Sequence, residues 1–219
     1  MRKQGSGALR VARRREPVAA EADCFLDGVS VRDEFLPPAD IRALADCAAL
    51  RRARGEFAAA RIGGEAGAGA QRRADIRGDS ICWITPLLTP PGPPLMPPER
   101  ALLTELERLR LKLNSEAYLG LFDLELHHAW YPPGNGYARH VDQPRDRAQR
   151  RVSLVLYLND EWTNDAGGQL RIFDAAGDHR DIEPVGGRLV CFLTPGREHA
   201  VLPARRDRMS ISGWFRARD

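Results

Sequence analysis

The feature that most constrains the fold is a series of short apolar segments in the C-terminal half of the chain. Six of them, LELHHAWY, VSLVLYLN, QLRIF, RLVCFLT, HAVLP and MSISGWF, follow one another from Asp123 onward. Clusters of Gly, Pro, Asp or Asn separate them at intervals of roughly ten residues, as turns separate strands. Short strands without helices between them are typical of an antiparallel sandwich or barrel. We therefore predict a β core over about residues 118–219.

Two segments before this core are predicted to be helices that pack on one outer face of the sheet. In the first, ADIRALADCAALRRA, apolar residues recur near helical spacing directly after Pro37 and Pro38. The second is ERALLTELERLRLKLNSEAY. Its leucine stripe is expected to face the core and comprises Leu102, Leu103, Leu106, Leu109 and Leu113.

The helices are separated by stretches rich in Gly or Pro. Residues 55–69, GEFAAARIGGEAGAG, contain too many glycines for a stable helix or a buried strand, so a mobile loop or a loose hairpin is predicted. The segment IRGDSICWI follows, and residues 80–85 are predicted to be a strand that enters the sheet. The proline-rich run TPLLTPPGPPLMPPE is predicted to be a stiff connector without regular structure.

Length and charge bound the organisation of the chain. Its 219 residues, 43% of them hydrophobic, are enough for one well-filled domain, and two full domains are not expected. Residues 1–20 contain six basic groups and one acidic group, so the remainder has a net charge of about −2 out of the total of +3. We predict a disordered basic arm over residues 1–20 and a single domain over residues 21–219. The overall charge does not argue for nucleic-acid binding, and the arm could contact RNA, ribosomes or nothing.

Segment composition also bears on location and redox state. No stretch approaches the roughly 20 consecutive apolar residues of a membrane span, and no apolar run follows the basic N-terminus as in a secretory signal. The four cysteines, Cys24, Cys47, Cys82 and Cys191, are far apart and form no CxxC pair. Neither a disulfide framework nor a thiolate metal site is expected. We predict a cytoplasmic protein.

A candidate metal site comes from His140, Asp142 and His199. His140 and Asp142 alternate with Val141, so on an extended strand their side chains point to one face and can share an ion. His199 begins another predicted strand, HAVLP, which a barrel can bring alongside the first pair. Two histidines and one carboxylate form the facial triad of non-haem Fe(II) oxygenases, which leaves coordination positions open.

Arg208 is the candidate anion-binding residue. It alternates with Ser210, Ser212 and Trp214 on the strand RMSISGWF, and its guanidinium fork suits a carboxylate. Arg205 and Arg206 compete for this role. No metal role is assigned to His127, His128 or His179, and at most one of the adjacent pair His127 and His128 can face a cavity, because neighbouring strand residues point to opposite faces.

Several of these segments together resemble the prolyl hydroxylase domain oxygenases, the group that includes the enzymes modifying hypoxia-inducible factor. The similarity includes IRGDSICWI, YPPGNGYARHVDQP, RRVSLVLYLNDEW, GGQLRIF, DIEPVGGRLVCFLT and HAVLPARRDRMSISGWF, and it covers about residues 20–219. It implies a double-stranded β-helix, or jelly roll, with supporting helices on one face. It also implies decarboxylation of 2-oxoglutarate coupled to hydroxylation of a prolyl residue, with Fe(II) and O2 required and ascorbate as a helper that keeps the iron reduced.

The resemblance implies a role for each site residue. His140, Asp142 and His199 would be the iron ligands. Arg208 and Tyr157 would hold the distal carboxylate of 2-oxoglutarate. Tyr131 would lie near its metal-binding end, and Ser212 would replace a threonine of the family. The loop YPPGNGYARH is one residue shorter between Tyr131 and His140 than the family's usual form.

For the substrate, the resemblance implies that the glycine-rich segment before Arg77 is a mobile finger that closes over a peptide. Asp79 would pair with Arg150, and Trp83 and Trp214 would line the entrance, where aromatic walls suit a proline ring. The alternative is that both tryptophans are ordinary core residues. A protein substrate with a target proline is therefore expected, and a translation factor, elongation factor Tu, is the first one that the resemblance suggests.

Three alternative functions remain open at this point. Hydroxylation of free proline or another small metabolite is the nearest, although the finger suits an extended peptide better. A nucleic-acid demethylase of the same fold would be expected to have a second arginine six residues after Arg208, where this chain has Trp214. A non-catalytic binding module is the third, and the complete ligand set argues against it.

Overall fold

A computed structural model of the chain describes residues 28–62, 71–84, 93–142 and 149–218. The predicted arm of residues 1–20, residues 63–69 of the glycine-rich stretch and residues 85–92 of the proline-rich run lie outside these ranges. The helices are α1 (Pro38–Ala53) and α2 (Pro97–Ala117), with a short 3-10 helix at Asn164–Ala166. The strands are β1 (Val29–Arg32), β2 (Ala58–Ala59), β3 (Ser80–Trp83), β4 (Leu121–Tyr131), β5 (Tyr137–His140), β6 (Arg150–Tyr157), β7 (Leu170–Phe173), β8 (His179–Ile182), β9 (Leu189–Leu193), β10 (His199–Val201) and β11 (Arg208–Ala217).

The strands form two antiparallel sheets, which confirms the prediction of a mainly β core. The larger sheet has seven strands in the order β1-β9-β6-β11-β4-β3-β2, and the smaller has four in the order β5-β10-β7-β8. The longest ladder joins β4 to β11, and β11 also pairs with β6. Residues close in the sheet are thus distant in the chain, as expected when strands pair across long connections.

The two faces of the larger sheet bury different cores. Alternate residues such as Leu154 and Leu156 of β6 pack in a cluster with the leucines of the two helices. Tyr157 of β6 and Phe192 of β9 belong to a second cluster with Ile172 of the smaller sheet. Because side chains alternate along a strand, the larger sheet can pack against the helices on one face and against the smaller sheet on the other. The space between the two sheets positions the candidate site.

Both predicted helices are present and lie on the same side of the larger sheet. In α2, Leu102, Leu106 and Leu113 are buried, and Leu103 and Leu109 are packed against the same core. The predicted stripe is confirmed. The proline-rich run was wrongly extended as a connector through Pro97 and Pro98, because these residues occupy the first turn of α2. Proline is tolerated there because first-turn N–H groups have no partner within the helix.

A buried polar cluster joins the helices to β4. The Arg51 guanidinium donates two hydrogen bonds of 2.6 Å to the Glu99 carboxylate and one of 2.7 Å to Glu56. His128 Nε2 lies 2.9 Å from Glu99 Oε1, and the Met96 backbone N–H donates to Glu99 Oε2. Arg51, Glu99 and His128 are each 0% exposed. This cluster therefore fixes the start of α2 to the end of α1 and to the larger sheet.

The segment before β3 forms the base of a hairpin. Ala58 pairs with Ile81, and Ile62 forms an isolated bridge with Gln71. The predicted loose hairpin therefore agrees with the described residues at its base. Among the described residues, no helix is both long enough and apolar enough to cross a membrane. Cys47, Cys82 and Cys191 are buried.

Candidate active site

Two neighbouring strands of the smaller sheet bring the three predicted metal ligands together. His140 ends β5, His199 begins β10, and the two are register partners. Asp142 follows β5 by two residues. His140 Nε2 lies 3.4 Å from Asp142 Oδ1, and His199 Nε2 lies 3.5 Å from Asp142 Oδ2. One ligand atom from each residue lies within 4.8 Å of the others, which is compact enough for a single cation.

Backbone carbonyls orient both histidine rings. His140 Nδ1 lies 2.8 Å from the carbonyl oxygen of Ala138, and His199 Nδ1 lies 3.2 Å from that of Arg197. A ring that donates its Nδ1–H to a carbonyl presents its Nε2 lone pair to the centre, as metal-binding histidines usually do. The donor set therefore fits a divalent metal through two imidazole nitrogens and a carboxylate.

The Asp142 carboxylate is held by hydroxyl groups on the larger sheet. Ser153 Oγ donates to Asp142 Oδ2 at 2.8 Å and lies 3.0 Å from Thr194 Oγ1. Arg150 also donates to the main-chain oxygen of Asp142 at 3.0 Å. Burial would raise the pKa of the Asp142 carboxyl, but His199 and His140 lower it well below its usual range. Asp142 is therefore ionised before any metal arrives.

The two histidines differ in their proton affinity. Burial lowers the pKa of His140, so its ring is neutral at neutral pH. Burial also acts to lower the pKa of His199, but the Asp142 carboxylate outweighs it and raises the pKa above the ordinary value. His199 therefore holds a proton more tightly than His140 does, and a metal that binds its Nε2 competes with that proton.

Arg208 lines the same cavity as the three candidate ligands. It is 1% exposed and donates from Nε to the carbonyl oxygen of Gly168 at 2.8 Å. Its Nη2 has no hydrogen-bond partner among the described residues, and the same holds for the buried hydroxyl of Tyr157. The guanidinium carbon lies 5.0 Å from the Tyr157 ring centroid and 5.3 Å from that of Tyr131. A buried cation with free donors requires an anionic ligand.

The register between β4 and β11 places residues of the cavity floor, the face of these two strands that lines the cavity, in a row. Along β4 and β11, Tyr131 is opposite Arg208 at one end and His127 is opposite Ser212 further along. Burial raises the pKa of Tyr131 and of Tyr157, so both hydroxyls stay protonated and can donate hydrogen bonds. Tyr131, Ser212 and Arg208 all line the cavity that contains the three metal ligands.

The predicted pairing of Asp79 with Arg150 is wrong in this structure. Asp79 accepts two hydrogen bonds from Arg77, at 2.7 and 3.0 Å. Arg150 instead donates to Glu125, at 2.7 and 3.1 Å. Arg77 is only two residues from Asp79 in the chain. Arg150 is on β6 and Glu125 is on β4, and both strands flank β11 in the larger sheet. Each charge therefore has a partner nearby other than the predicted one.

The two tryptophans differ in position. Trp214 is 8% exposed and lines the cavity. The centroid of its ring lies 3.6 Å from the guanidinium carbon of Arg150. Trp83 is half-buried and is not among the residues that line the cavity, so its predicted place at the entrance is not observed. Its ring contacts His127 instead, with the centroids 4.9 Å apart. Trp83 is the register partner of His127, so the two side chains lie side by side on the same face of the larger sheet.

Three cavity or mouth residues were missed by the sequence reasoning: Glu125, His127 and Tyr137. Glu125 and His127 could have been found from strand alternation, because they share the β4 face with Tyr131. Tyr137 stacks on the His140 ring at a centroid distance of 3.4 Å. Its position depends on the short turn before β5, for which no periodic signal exists. His128 faces the opposite side, toward Glu99, as alternation requires.

Comparisons with known proteins agree with this geometry. Residues 126–216 match the family model of the 2OG-Fe(II) oxygenase superfamily. The chain is 36% identical over 149 residues to Egl nine homolog 1 of Homo sapiens, covering 64% of this chain and 33% of the human protein. It is 33% identical over 156 residues to a prolyl hydroxylase of Mus musculus, covering 62% of that protein. The chain thus spans less than two thirds of the length of these relatives.

Two solved structures are similar over most of the chain. A prolyl-4-hydroxylase from Pseudomonas putida superposes with a TM-score of 0.77 at 43% identity, covering 90% of this chain and 96% of that one. A prolyl hydroxylase from Trichoplax adhaerens, solved in complex with a peptide of hypoxia inducible factor, has a TM-score of 0.74 at 25% identity. That match covers 88% of this chain and 85% of the other.

Proposed function

The chain belongs to the prolyl hydroxylase family of Fe(II)- and 2-oxoglutarate-dependent oxygenases, and on this premise we propose that it hydroxylates a prolyl residue of a protein. Succinate and CO2 are the coproducts. The observation that carries the proposal is the buried Arg208 Nη2, a donor without a hydrogen-bond partner among the described residues, in the same cavity as His140, Asp142 and His199. The unpartnered Tyr157 hydroxyl belongs to the neighbouring ring, whose centroid is 5.0 Å from the Arg208 guanidinium carbon.

The proposed metal ligands are His140, Asp142 and His199. Two neutral imidazoles and one carboxylate bind Fe(II) and leave further positions for a bidentate cosubstrate and O2. Ser153 holds the carboxylate in place, and the carbonyls of Ala138 and Arg197 hold the rings. The protein therefore supplies a pre-organised site that requires little movement when the metal binds.

The proposed cosubstrate site is at the other end of the floor. Arg208 and Tyr157 donate hydrogen bonds to the distal carboxylate of 2-oxoglutarate, which satisfies both free donors. Ser212 donates nearer to the metal, and Tyr131, whose backbone is opposite Arg208, is proposed to reach with its hydroxyl toward the metal-binding end of the cosubstrate. When bound, Fe(II) and 2-oxoglutarate supply the oxidation: O2 takes two electrons from 2-oxoglutarate and two from the prolyl C–H bond, which becomes C–OH.

The chain's own residues orient the reactants and exclude water. Arg208 fixes the length of cosubstrate that can reach both the guanidinium and the metal. Val155, Leu170 and Phe192 line the cavity with apolar surface, which strengthens the electrostatic interactions inside it. Trp214 and Arg150 lie toward the mouth, where a substrate enters.

A protein is the proposed substrate class, and elongation factor Tu is the first candidate to test. The Trichoplax relative binds a peptide, which supports an extended substrate over a free amino acid. Arg77 and Asp79 line the cavity, and the finger that precedes them in the chain is proposed to cover the peptide. A translation factor as substrate would place the reaction in the cytoplasm.

The finer fold and the domain division are part of the same proposal. We propose that the two antiparallel sheets are the halves of a double-stranded β-helix, as in the family. Residues 21–219 then form one oxygenase domain, with its helical support and finger before about residue 117, and residues 1–20 form a basic arm outside it.

The test is incubation of the protein with Fe(II), 2-oxoglutarate, O2 and ascorbate, which keeps the iron reduced. Elongation factor Tu and a cell lysate are the two substrate samples. Succinate release and a one-oxygen mass gain on a protein, both absent with His140→Ala, are expected. Succinate without a protein product would favour a small metabolite or free proline as substrate. No succinate with iron bound would favour a non-catalytic binding module.

A further inference from the structure

His127 occupies a position in the active-site floor to which the proposed chemistry assigns no role. On β4 it lies between Glu125 and Tyr131, and on β11 its register partner is Ser212. Glu125 is opposite Trp214 at one end of this row, and Tyr131 is opposite Arg208 at the other. On this face of the sheet, the pair that contains His127 is therefore next to the pair that contains Trp214. It is two pairs away from the one that contains Arg208, the proposed cosubstrate-binding residue.

The ring of His127 is buried and has a free nitrogen. It is 2% exposed, and its Nδ1 has no hydrogen-bond partner among the described residues. The indole N–H of Trp214, which is 8% exposed, also has none among them. The two ring centroids are 5.5 Å apart. Two neighbouring free polar groups in a cavity wall are costly to leave unpaired, so a ligand that pairs with both is favoured.

The other polar side chains at the mouth have partners. Arg77 is paired with Asp79, and Arg150 with Glu125. Burial, and then Arg77 and Arg150, lower the pKa of His127 well below its ordinary value. Its ring is therefore neutral at neutral pH and can donate one N–H. The His127 ring can therefore donate a hydrogen bond to a neutral acceptor, and it carries no charge that would favour an anion.

A prolyl residue in a peptide matches this wall. The amide bond before a proline has a carbonyl oxygen but no N–H, so it needs donors and offers none. Its ring is apolar and suits aromatic surface such as that of Trp214. The Trp83 ring lies beside the His127 ring on the neighbouring strand, with the two centroids 4.9 Å apart, and adds to the aromatic surface. The wall thus combines two fixed donors with an aromatic surface.

We propose that His127, together with the Trp214 indole N–H, binds the backbone carbonyl oxygen that precedes the target proline, which makes His127 a specificity-determining residue for peptidyl proline. This inference rests on the proposed function, because it requires a prolyl substrate in this cavity. It distinguishes peptidyl proline from free proline, which has no preceding carbonyl.

The test measures binding without turnover, so that it does not depend on hydroxylation. The full chain is loaded with Zn(II), which is redox-inactive, and with 2-oxoglutarate, and N-acetylproline methylamide is the probe. We expect the probe to shift the ring ¹⁵N resonances of His127. His127→Phe, which keeps an aromatic ring and removes both nitrogens, should weaken probe binding about tenfold. His127→Asn restores a donor and should recover part of this loss.

Control variants make the result specific. Trp214→Phe removes the other donor and should also weaken the probe, whereas His179→Phe, in β8, should leave its affinity unchanged. Probe affinity equal to wild type in both His127 variants would overturn the proposal. So would a larger loss of affinity for 2-oxoglutarate than for the probe, which would assign the ring to the cosubstrate. Succinate release by the Fe(II)-loaded wild type, measured separately, reports whether the oxygenase proposal itself holds.

Discussion

Replacing Glu99 with Gln should destabilise the protein strongly at neutral pH and far less in acid. Glu99 is 0% exposed and accepts two hydrogen bonds from Arg51, one from His128 and one from the Met96 backbone. Burial would raise the pKa of this carboxyl, but these hydrogen bonds lower it from 4.5 to about 2. The folded state therefore holds the ionised form much more tightly than the unfolded chain does.

The magnitude follows from that difference. Each tenfold change in proton affinity corresponds to about 1.4 kcal/mol, so the ionised carboxylate contributes about 3 kcal/mol to the free energy of unfolding. Because the folded pKa is the lower one, this contribution is complete above the unfolded value and is lost as pH falls from 4.5 toward 2. Removing one partner of a buried ion pair typically costs about 3–5 kcal/mol, which agrees.

Urea unfolding followed by tryptophan fluorescence, at pH 7, 4 and 2.5, measures this effect. We expect Glu99→Gln to lose about 3 kcal/mol at pH 7 and the gap from wild type to narrow steadily below pH 4. Glu116→Gln, which removes an exposed partner of Lys112 on the same helix, should change the free energy by less than about 0.5 kcal/mol. A loss below about 1 kcal/mol at pH 7 would refute the reasoning. So would a difference in the free energy of unfolding between wild type and Glu99→Gln that does not change with pH.

Three further predictions concern the site and its sheet. Arg208→Met should raise the 2-oxoglutarate concentration needed for half-maximal succinate release by about 10–100-fold, whereas the exposed Arg205→Met should not, and equal effects would contradict the assignment. Ser153→Ala should weaken Zn(II) or Co(II) binding by about tenfold or more, because Asp142 loses its 2.8 Å hydrogen bond, and unchanged metal affinity in a titration would argue against this role. Gly213→Ala should destabilise the fold by about 3 kcal/mol in thermal unfolding, because its Cβ would lie 2.0 Å from the Glu125 carbonyl oxygen; a melting temperature within a degree or two of wild type would contradict the packing.

The wrong pairing of Asp79 with Arg150 illustrates where the sequence stops being informative. Sequence resemblance identified both charges, but which charges pair depends on distances across strands. Glu125 reaches Arg150 because β4 and β6 both flank β11, and this neighbourhood exists only in the folded sheet. The same reason explains why Pro97 and Pro98 were placed in a connector: the helix boundary depends on Glu99, whose side chain bonds to Arg51 and to the Met96 backbone.

The sequence by itself determined the class of fold and the two helices, and it singled out His140, Asp142, His199 and Arg208, which the structure brings to one cavity. Strand and helix periodicity are local properties of the chain, and a ligand set is recognised by residue types in a known order. Only the tertiary structure decided that His127 faces the cavity with a free nitrogen while His128 is paired with Glu99. Alternation separates the two rings, but the environment of each face is made by residues 15 to 90 positions away, so it arises only when the sheets and helices pack.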